Sequence, residues 1–409
     1  MVNKIYSGDC LLVMRHDILE RGIKVDLIYL DPPFFTGKVQ KGIWQPGAME
    51  VSYEDSKKFW GTKGATGSPT WIKEVGVKRP AFASYLEYMR KRLELCERIL
   101  KNTGSIYLHC DYRASHYLKM VMDGVFSSKN FRNEIVWCYS GGGIPRKDFP
   151  RKHDTIFRYT KSGDYTFHVE YKPYAENTQQ VGIHSTYSGD TREDIKIDLE
   201  RGTPVTDWWI DVKTVTGWNP EVLGYPTQKP LALLERIIKA SSNEGDLVMD
   251  PFCGCGTAIA AAHKLNRNWI GIDIENDACT VIRKRFEDEF GIKPEIHLRE
   301  VEEVKKLNPK KFEAWVNEFH QAKKPMPDRG VDGITEKGIS IQTKTGIVKY
   351  NIVSQFLNDM RYHPDVPKPV KYGIIVSQNG FDESAIARVF QIKEKDKIDI
   401  KLVTPEDLF

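Results

Sequence analysis

The stretch "GDLVMDPFCGCGTAIAAAHKLNRNWIGIDIE", residues 245–275, leaves this chain little choice of fold. An apolar run meets a glycine-rich turn, a small-residue helical segment and a second apolar run. That is one βαβ unit, and a βαβ unit requires a mostly parallel sheet. Gly254 and Gly256 keep the turn tight and let backbone approach a ligand closely. The spacing is G-x-G without the third dinucleotide glycine, which weakens a pyrophosphate-binding reading. Asp273 ends the second strand 17 residues after Gly256, where an acid accepts hydrogen bonds from ribose hydroxyls. A nucleoside ligand is expected.

A second stretch, "DLIYLDPPFF" (residues 26–35), ends an apolar, β-branched run with an acid, two prolines and two aromatics. Asp26 to Leu30 reads as a buried parallel strand that Pro32 and Pro33 must stop. Ligand chemistry in α/β folds collects just beyond such strand ends. Taken alone, the stretch fits a proline turn capped by Asp31 as well as it fits an active-site loop.

The same rhythm runs from residue 1 to about 135: "KVDLIYL" as strand, "FASYLEYMRKRLELCERIL" as amphipathic helix, "NTGSIYLHCD" as strand. From 138 to 222 it breaks into a Gly-, Pro-, Tyr-, Trp- and Arg-rich segment. Between Ile144 and Lys161 lie six Lys/Arg against two Asp, interleaved with Phe149, Phe157 and Tyr159. Such a surface suits phosphate contacts and base stacking, although a solvated loop has the same composition. Order returns at "TQKPLALLERIIKASS", a helix with Pro230 at its start. The charged stretch "LREVEEVKKLNPKK" reads as a domain boundary, dividing 1–300 from a last unit of 301–409.

Composition mainly excludes. No apolar run approaches the ~20 residues of a membrane helix, and the first residues lack a signal-peptide layout. Seven scattered cysteines argue against a disulfide framework and fit a reducing cytoplasm. Cys253 and Cys255 lack a second pair at zinc spacing. A net charge of +4 makes no case for nucleic acid, so any such case rests on a local patch.

Together the motifs resemble the β group of S-adenosylmethionine-dependent DNA amino-methyltransferases. "DPPF" (Asp31, Pro32, Pro33, Phe34) matches their catalytic motif and "DPFCGCGT" (Asp250 to Thr257) their cofactor motif, in that permuted order. "YPTQKP" (Tyr225 to Pro230) matches the motif before the cofactor loop, and "YSGDCLLVM" the strand whose acid, here Asp9, lies near the adenine of the cofactor. The resemblance spans roughly residues 1 to 295. It implies a Rossmann-like class I methyltransferase sheet with an inserted target-recognition region at 138–222. It also implies S-adenosylmethionine held by Asp9, Asp250, Phe252, Gly254, Gly256, Thr257 and Asp273. The partner is double-stranded DNA, with Arg146, Lys147, Arg151 and Lys152 as phosphate contacts, and relatives of this group are often homodimers. Asp as the first motif residue favours adenine N6, with cytosine N4 as the alternative.

In the last unit, "DRGVDGITEKGISIQTK" resembles the Mrr-like branch of restriction endonucleases, a small α/β PD-(D/E)xK-like domain. That resemblance implies Mg²⁺ held by Asp332 and Gln342, with Lys344 and Glu313 assisting, and hence a combined restriction-modification polypeptide or an inert accessory domain. An amide stands where a second carboxylate is usual, which lowers the site's charge.

Overall fold

The computed structural model describes residues 3–41, 52–53, 55–63, 68–140, 145–181, 183–188, 191–196, 198–215, 221–223, 225, 227–298, 307–320, 322–325, 330–336 and 338–405. The chain divides into two compact units, Met1–Leu298 and Arg299–Phe409. Residues 299–306, within the charged stretch read as a boundary, lie outside the described residues.

The first unit is built on a nine-stranded sheet. In chain order its strands are β1 (Lys4–Ser7), β2 (Val25–Leu30), β3 (Leu100–Cys110), β4 (Phe131–Cys138), β5 (His153–Thr160), β6 (Trp208–Trp209), β7 (Leu247–Asp250), β8 (Asn268–Asp273) and β9 (Ile296–Leu298). They lie side by side in the order β6-β4-β5-β3-β2-β7-β8-β1-β9. Only β5 runs antiparallel to its neighbours β3 and β4. This is a Rossmann-like α/β sheet, mostly parallel with one antiparallel strand.

The central strand β2 is buried at all six positions. That explains its unbroken apolar run, because both faces of a parallel sheet are covered by helices. One face packs Val13 of α1 (Cys10–Val13) and Leu86, Met89 and Leu93 of α2 (Pro80–Ile99) against Ile28, Leu30 and Ile106. The other packs Leu234 and Ile238 of α3 (Leu231–Ser241) and Ile259 of α4 (Thr257–Lys264) against Leu27, Tyr29 and Val248.

Strand register decides where the chemistry collects. Met249 pairs with Ile28, Asp250 with Gly271, and Ser7 with Asp273. The acids following β1, β2, β7 and β8 therefore emerge at one carboxyl edge, around the point where the strand order reverses. The segment from 138 to 222 is only partly an insertion. His153–Thr160 and Trp208–Trp209 are strands of the main sheet. They were missed because glycines and prolines of the intervening loops dominate the local composition.

The second unit is a five-stranded sheet of β10 (Ala322–Lys323), β11 (Gly333–Thr335), β12 (Ser340–Lys344), β13 (Tyr372–Ser377) and β14 (Asp399–Val403), in that spatial order. The first three are antiparallel and the last three parallel. Helix α5 (Tyr350–Tyr362) crosses over between β12 and β13, and α6 (Glu383–Asp396) between β13 and β14. Phe356 and Met360 of α5 pack into a core with Ile375, Ile392 and Ile400.

Candidate active site

Asp31, Pro32, Pro33 and Phe34 follow β2 directly and line one cleft with Asp250, Phe252, Gly254, Thr257 and Asp273. Phe35 shows how the loop is set. Its φ of 55° is unusual for a residue with a side chain. Its ring packs against Phe82 at 5.0 Å and Tyr85 at 5.6 Å. Phe34 lies instead against His109, centroids 5.6 Å apart. Burial of the Phe35 ring, worth about 2 kcal/mol, offsets the strain of the turn. The two neighbouring aromatics thus serve different ends, one anchoring and one lining the cleft.

Asp31 is the acid of the cleft with a buried oxygen left unpaired among the described residues. Its Oδ2 accepts a hydrogen bond from Lys229 Nζ at 2.5 Å, while its buried Oδ1 has no partner among the described residues. Lys229 was not singled out from the sequence, although it lies in the quoted "YPTQKP". Asp273 is arranged the other way. Its Oδ2 accepts the Gly254 N–H at 2.7 Å and its Oδ1 the Glu275 N–H at 2.9 Å. Burial pushes its pKa up to about 7. Asp250 accepts from the Phe252 N–H at 3.0 Å, and burial, with Asp31 and Asp273 nearby, lifts its pKa well above the carboxylate range.

The glycine turn is as tight as its sequence implies. Gly254 has φ +53°, and a Cβ there would come within 2.9 Å of the Tyr225 ring. Gly256, φ +79°, caps α4 with Ile282 only 3.0 Å from where a Cβ would stand. Asp9 also borders the cleft, but its carboxylate is held by Arg92 Nη2 at 2.7 and 2.6 Å and by the Leu11 N–H at 2.7 Å. The Arg92 guanidinium lies 3.3 Å from the centre of the Tyr88 ring. Arg92 thus fixes Asp9 in the wall of the cleft.

Behind Phe34 lies a buried polar chain. Tyr29 Oη and His109 Nδ1 are 2.8 Å apart, His109 Nε2 is 3.1 Å from Asp154, and Tyr139 Oη donates to Asp154 at 3.0 Å. Burial would raise the Asp154 pKa, but the His109 hydrogen bond and the nearby charges of His109 and Lys229 hold it below the usual value. The "LHCD" stretch is thus a strand end whose histidine supports the loop.

The family described as DNA methylase (N6 and N4) matches over residues 25–284, well over half of the chain. The chain belongs to this family. Among its relatives, the type II methyltransferase M.EcaI of Enterobacter cloacae is 27% identical over 69% of this chain and 68% of its own length. The DNA adenine methyltransferase YhdJ of Escherichia coli K12 is 27% identical over 67% of this chain and 79% of its own. Across the first four curated relatives the chain spans 57% to 68% of their lengths. A crystal structure of an M1.HpyAVI-SAM complex aligns over 69% of this chain and 98% of that one, with 21% identity and a TM-score of 0.41.

In this DNA methylase family member, Arg146, Lys147 and Arg151 are exposed and Lys152 is half-buried. The loop they form runs into β5. The Lys152 carbonyl accepts the Tyr139 N–H at 2.9 Å, and the Arg151 guanidinium lies 4.6 Å from the Tyr112 ring, just past the carboxyl end of β3. Between the two basic pairs, Phe149 is 94% exposed. None of the four basic residues lines the cleft.

In the second unit, Asp332 Oδ2 accepts from the Thr343 N–H at 2.6 Å and from Thr343 Oγ1 at 2.9 Å. Gln342 Nε2 donates to the Gly330 carbonyl at 2.9 Å, leaving a buried Oε1 without a partner among the described residues, and Glu313 pairs with Lys324 at 2.6 Å. Burial raises the Asp332 pKa, with Lys344 opposing and Glu313 reinforcing. Among the described residues no three His, Cys, Asp or Glu side chains converge as a metal site would require. The expected Mg²⁺ site is therefore poorly matched by its residues. No described helix is long and apolar enough to cross a membrane.

Proposed function

We propose that this chain methylates adenine N6 in double-stranded DNA, with S-adenosylmethionine as methyl donor. The observation that carries the reading is the half-satisfied Asp31 beside Phe34, in the same cleft as the glycine turn. Adenine is favoured over cytosine because the motif begins with Asp, and YhdJ is named as an adenine methyltransferase.

The cleft suits the donor. A turn that accepts no Cβ at Gly254 or Gly256 brings backbone close to a ligand, and Phe252 and Tyr88 give apolar walls. Asp273 keeps acceptor capacity for a ribose hydroxyl beyond its backbone bonds. Glu275 stands on the same rim. When bound, S-adenosylmethionine supplies an electrophilic sulfonium methyl.

The remaining work falls to the loop. An exocyclic amine is a weak nucleophile because its lone pair is delocalised into the ring. The Asp31 carboxylate accepts one of its N–H groups and the Pro32 carbonyl the other, which draws the nitrogen toward sp³ geometry and aims its lone pair. Pro32 and Pro33 stiffen this arrangement in advance. Phe34, backed by His109, provides the face for a base rotated out of the duplex. The methylated nitrogen then loses its extra proton to Asp31 or water.

Arg146, Lys147, Arg151 and Lys152 contact phosphates in this reading, which draws on their exposure and their tie to the carboxyl edge. The antiparallel-then-parallel sheet of the second unit supports a PD-(D/E)xK-like fold. Its donor set does not favour a divalent ion, so we assign it no cleavage step. Seven free thiols fit a reducing cytoplasm.

The test is to incubate purified protein with S-adenosylmethionine and unmethylated genomic DNA, then analyse nucleosides by mass spectrometry. N6-methyladenine is the expected product. N4-methylcytosine would overturn the choice of base, and no methylated base would overturn the proposal.

A further inference from the structure

Lys229 stands where a substrate amine belongs. Its ammonium donates to Asp31 Oδ2 at 2.5 Å and to the Thr227 carbonyl at 3.2 Å, and lies 5.1 Å from the centre of the Phe34 ring. Lys229 is only 8% exposed. A lysine tolerates such burial because a carboxylate compensates it. The backbone directs it there. Thr227 has φ +60°, strained for a β-branched residue, and Pro230 follows at the N-cap of α3. The chemistry Lys229 presents, an N–H donor to Asp31 lying against Phe34, is the chemistry an exocyclic base amine would present.

We propose that Lys229 is a placeholder for the target base. It pairs with Asp31 Oδ2 and covers Phe34 while the cleft is empty of base, and it must withdraw for a base to enter. The inference rests on the functional reading above and adds a rule of entry to it. Once Lys229 leaves, neither oxygen of the half-buried Asp31 carboxylate has an N–H donor, and Oδ1 is itself buried. Adenine and cytosine supply one from their amines, whereas thymine offers a carbonyl oxygen at the corresponding position. Lys229 therefore sets the threshold for entry and Asp31 the selection among bases. The two roles separate cleanly. Without the ammonium, Asp31 is unpaired before entry for every base alike, so the threshold falls while the selection persists.

The experiment uses the full chain and a duplex containing the target site, located by mapping methylated positions in treated genomic DNA. That position carries 2-aminopurine, whose emission rises when the base leaves the stack. Lys229→Met is expected to raise the apparent constant for base extrusion roughly tenfold, as loss of one charged hydrogen bond implies. The KM for an unmodified duplex should fall with it. Lys229→Arg, which keeps a cationic donor, should leave emission near wild type. Unchanged or lower emission in Lys229→Met, with S-adenosylmethionine binding intact, overturns the placeholder. So does a fall in kcat with emission unaltered, which would place Lys229 in the chemical step. If Lys229→Met misfolds, Lys229→Gln takes its place, with an expected rise of smaller size and the same overturning results. A wild-type protein that methylates no base overturns the functional reading, and the inference with it. A methylating wild type with no change in the variants overturns the inference alone.

Discussion

Each of the two units carries an acid just outside a sheet strand with a lysine nearby, and the two dispose of that material differently. Asp31 spends one oxygen on Lys229 and keeps the other buried and open. Asp332 spends its Oδ2 on both the backbone and the hydroxyl of Thr343, with Lys344 influencing it only through its charge. An open, desolvated acceptor is poised for a substrate, while one locked to its own strand stiffens a hairpin. Proximity of an acid and a base in a sequence does not separate these cases. The count of remaining lone pairs does.

The comparison breaks most sharply at Asp31. Asp31→Ala should lower methyl transfer by ~10³-fold or more, with S-adenosylmethionine affinity changed only a few-fold, measured by tritium transfer and by calorimetry. Activity near wild type would remove Asp31 from the chemistry. Next in size is the basic loop. Replacing Arg146, Lys147, Arg151 and Lys152 by alanine should weaken DNA binding across sequences by roughly 10–100-fold at moderate salt. The slope of log affinity against log salt should flatten as well. An unaltered slope would make these residues an ordinary solvated face.

Gly254→Ala sharpens the distinction between cleft and scaffold. Its Cβ would meet the Tyr225 ring at 2.9 Å in a left-handed backbone, so cofactor affinity should fall about tenfold, read by calorimetry. Gly124→Ala, where nothing lies within 4 Å of the added atom, should leave that affinity unchanged. A smaller effect comes from pH. Asp273 ionises near 7 in the fold, above its unfolded value, so its stabilising contribution is full at acid pH and is lost as pH rises through about 7. Asp250 acts in the same sense. Urea midpoints between pH 5.5 and 8 should fall, and Asp273→Asn should make that fall shallower. The smallest expected effect is none. Lys344→Ala should leave methyl transfer untouched, and the wild-type chain with Mg²⁺ should leave unmethylated DNA uncut. Cutting that disappears in Lys344→Ala would show that Asp332 is as available as Asp31.

Much of the first unit was legible because its signals are local. The unbroken apolar run of β2 and the stop at Pro32 locate a buried strand and its end, and Gly254 and Gly256 announce a turn that no Cβ could enter. The antiparallel β5 and the two-residue β6 were not legible, because the glycines and prolines of the flanking loops dominate the local composition. Lys229 escaped for a related reason. A lysine between a glutamine and a proline reads as solvent-exposed, and only a carboxylate 198 residues earlier makes its burial tolerable.

Residue order by itself determined the α/β class and the order of the DPPF and DPFCGCGT stretches along the chain, because strand, turn and helix propensities act over a few neighbours. Tertiary structure decided which acids remain open. Asp9, Asp31, Asp250 and Asp273 are alike as residues, but one is held by Arg92, one is half-paired with Lys229, and two are tied to backbone N–H groups. Arg92, Lys229 and the Gly254 N–H reach their acids from other elements of the fold, and burial among such partners, not residue type, sets what each carboxylate is able to do.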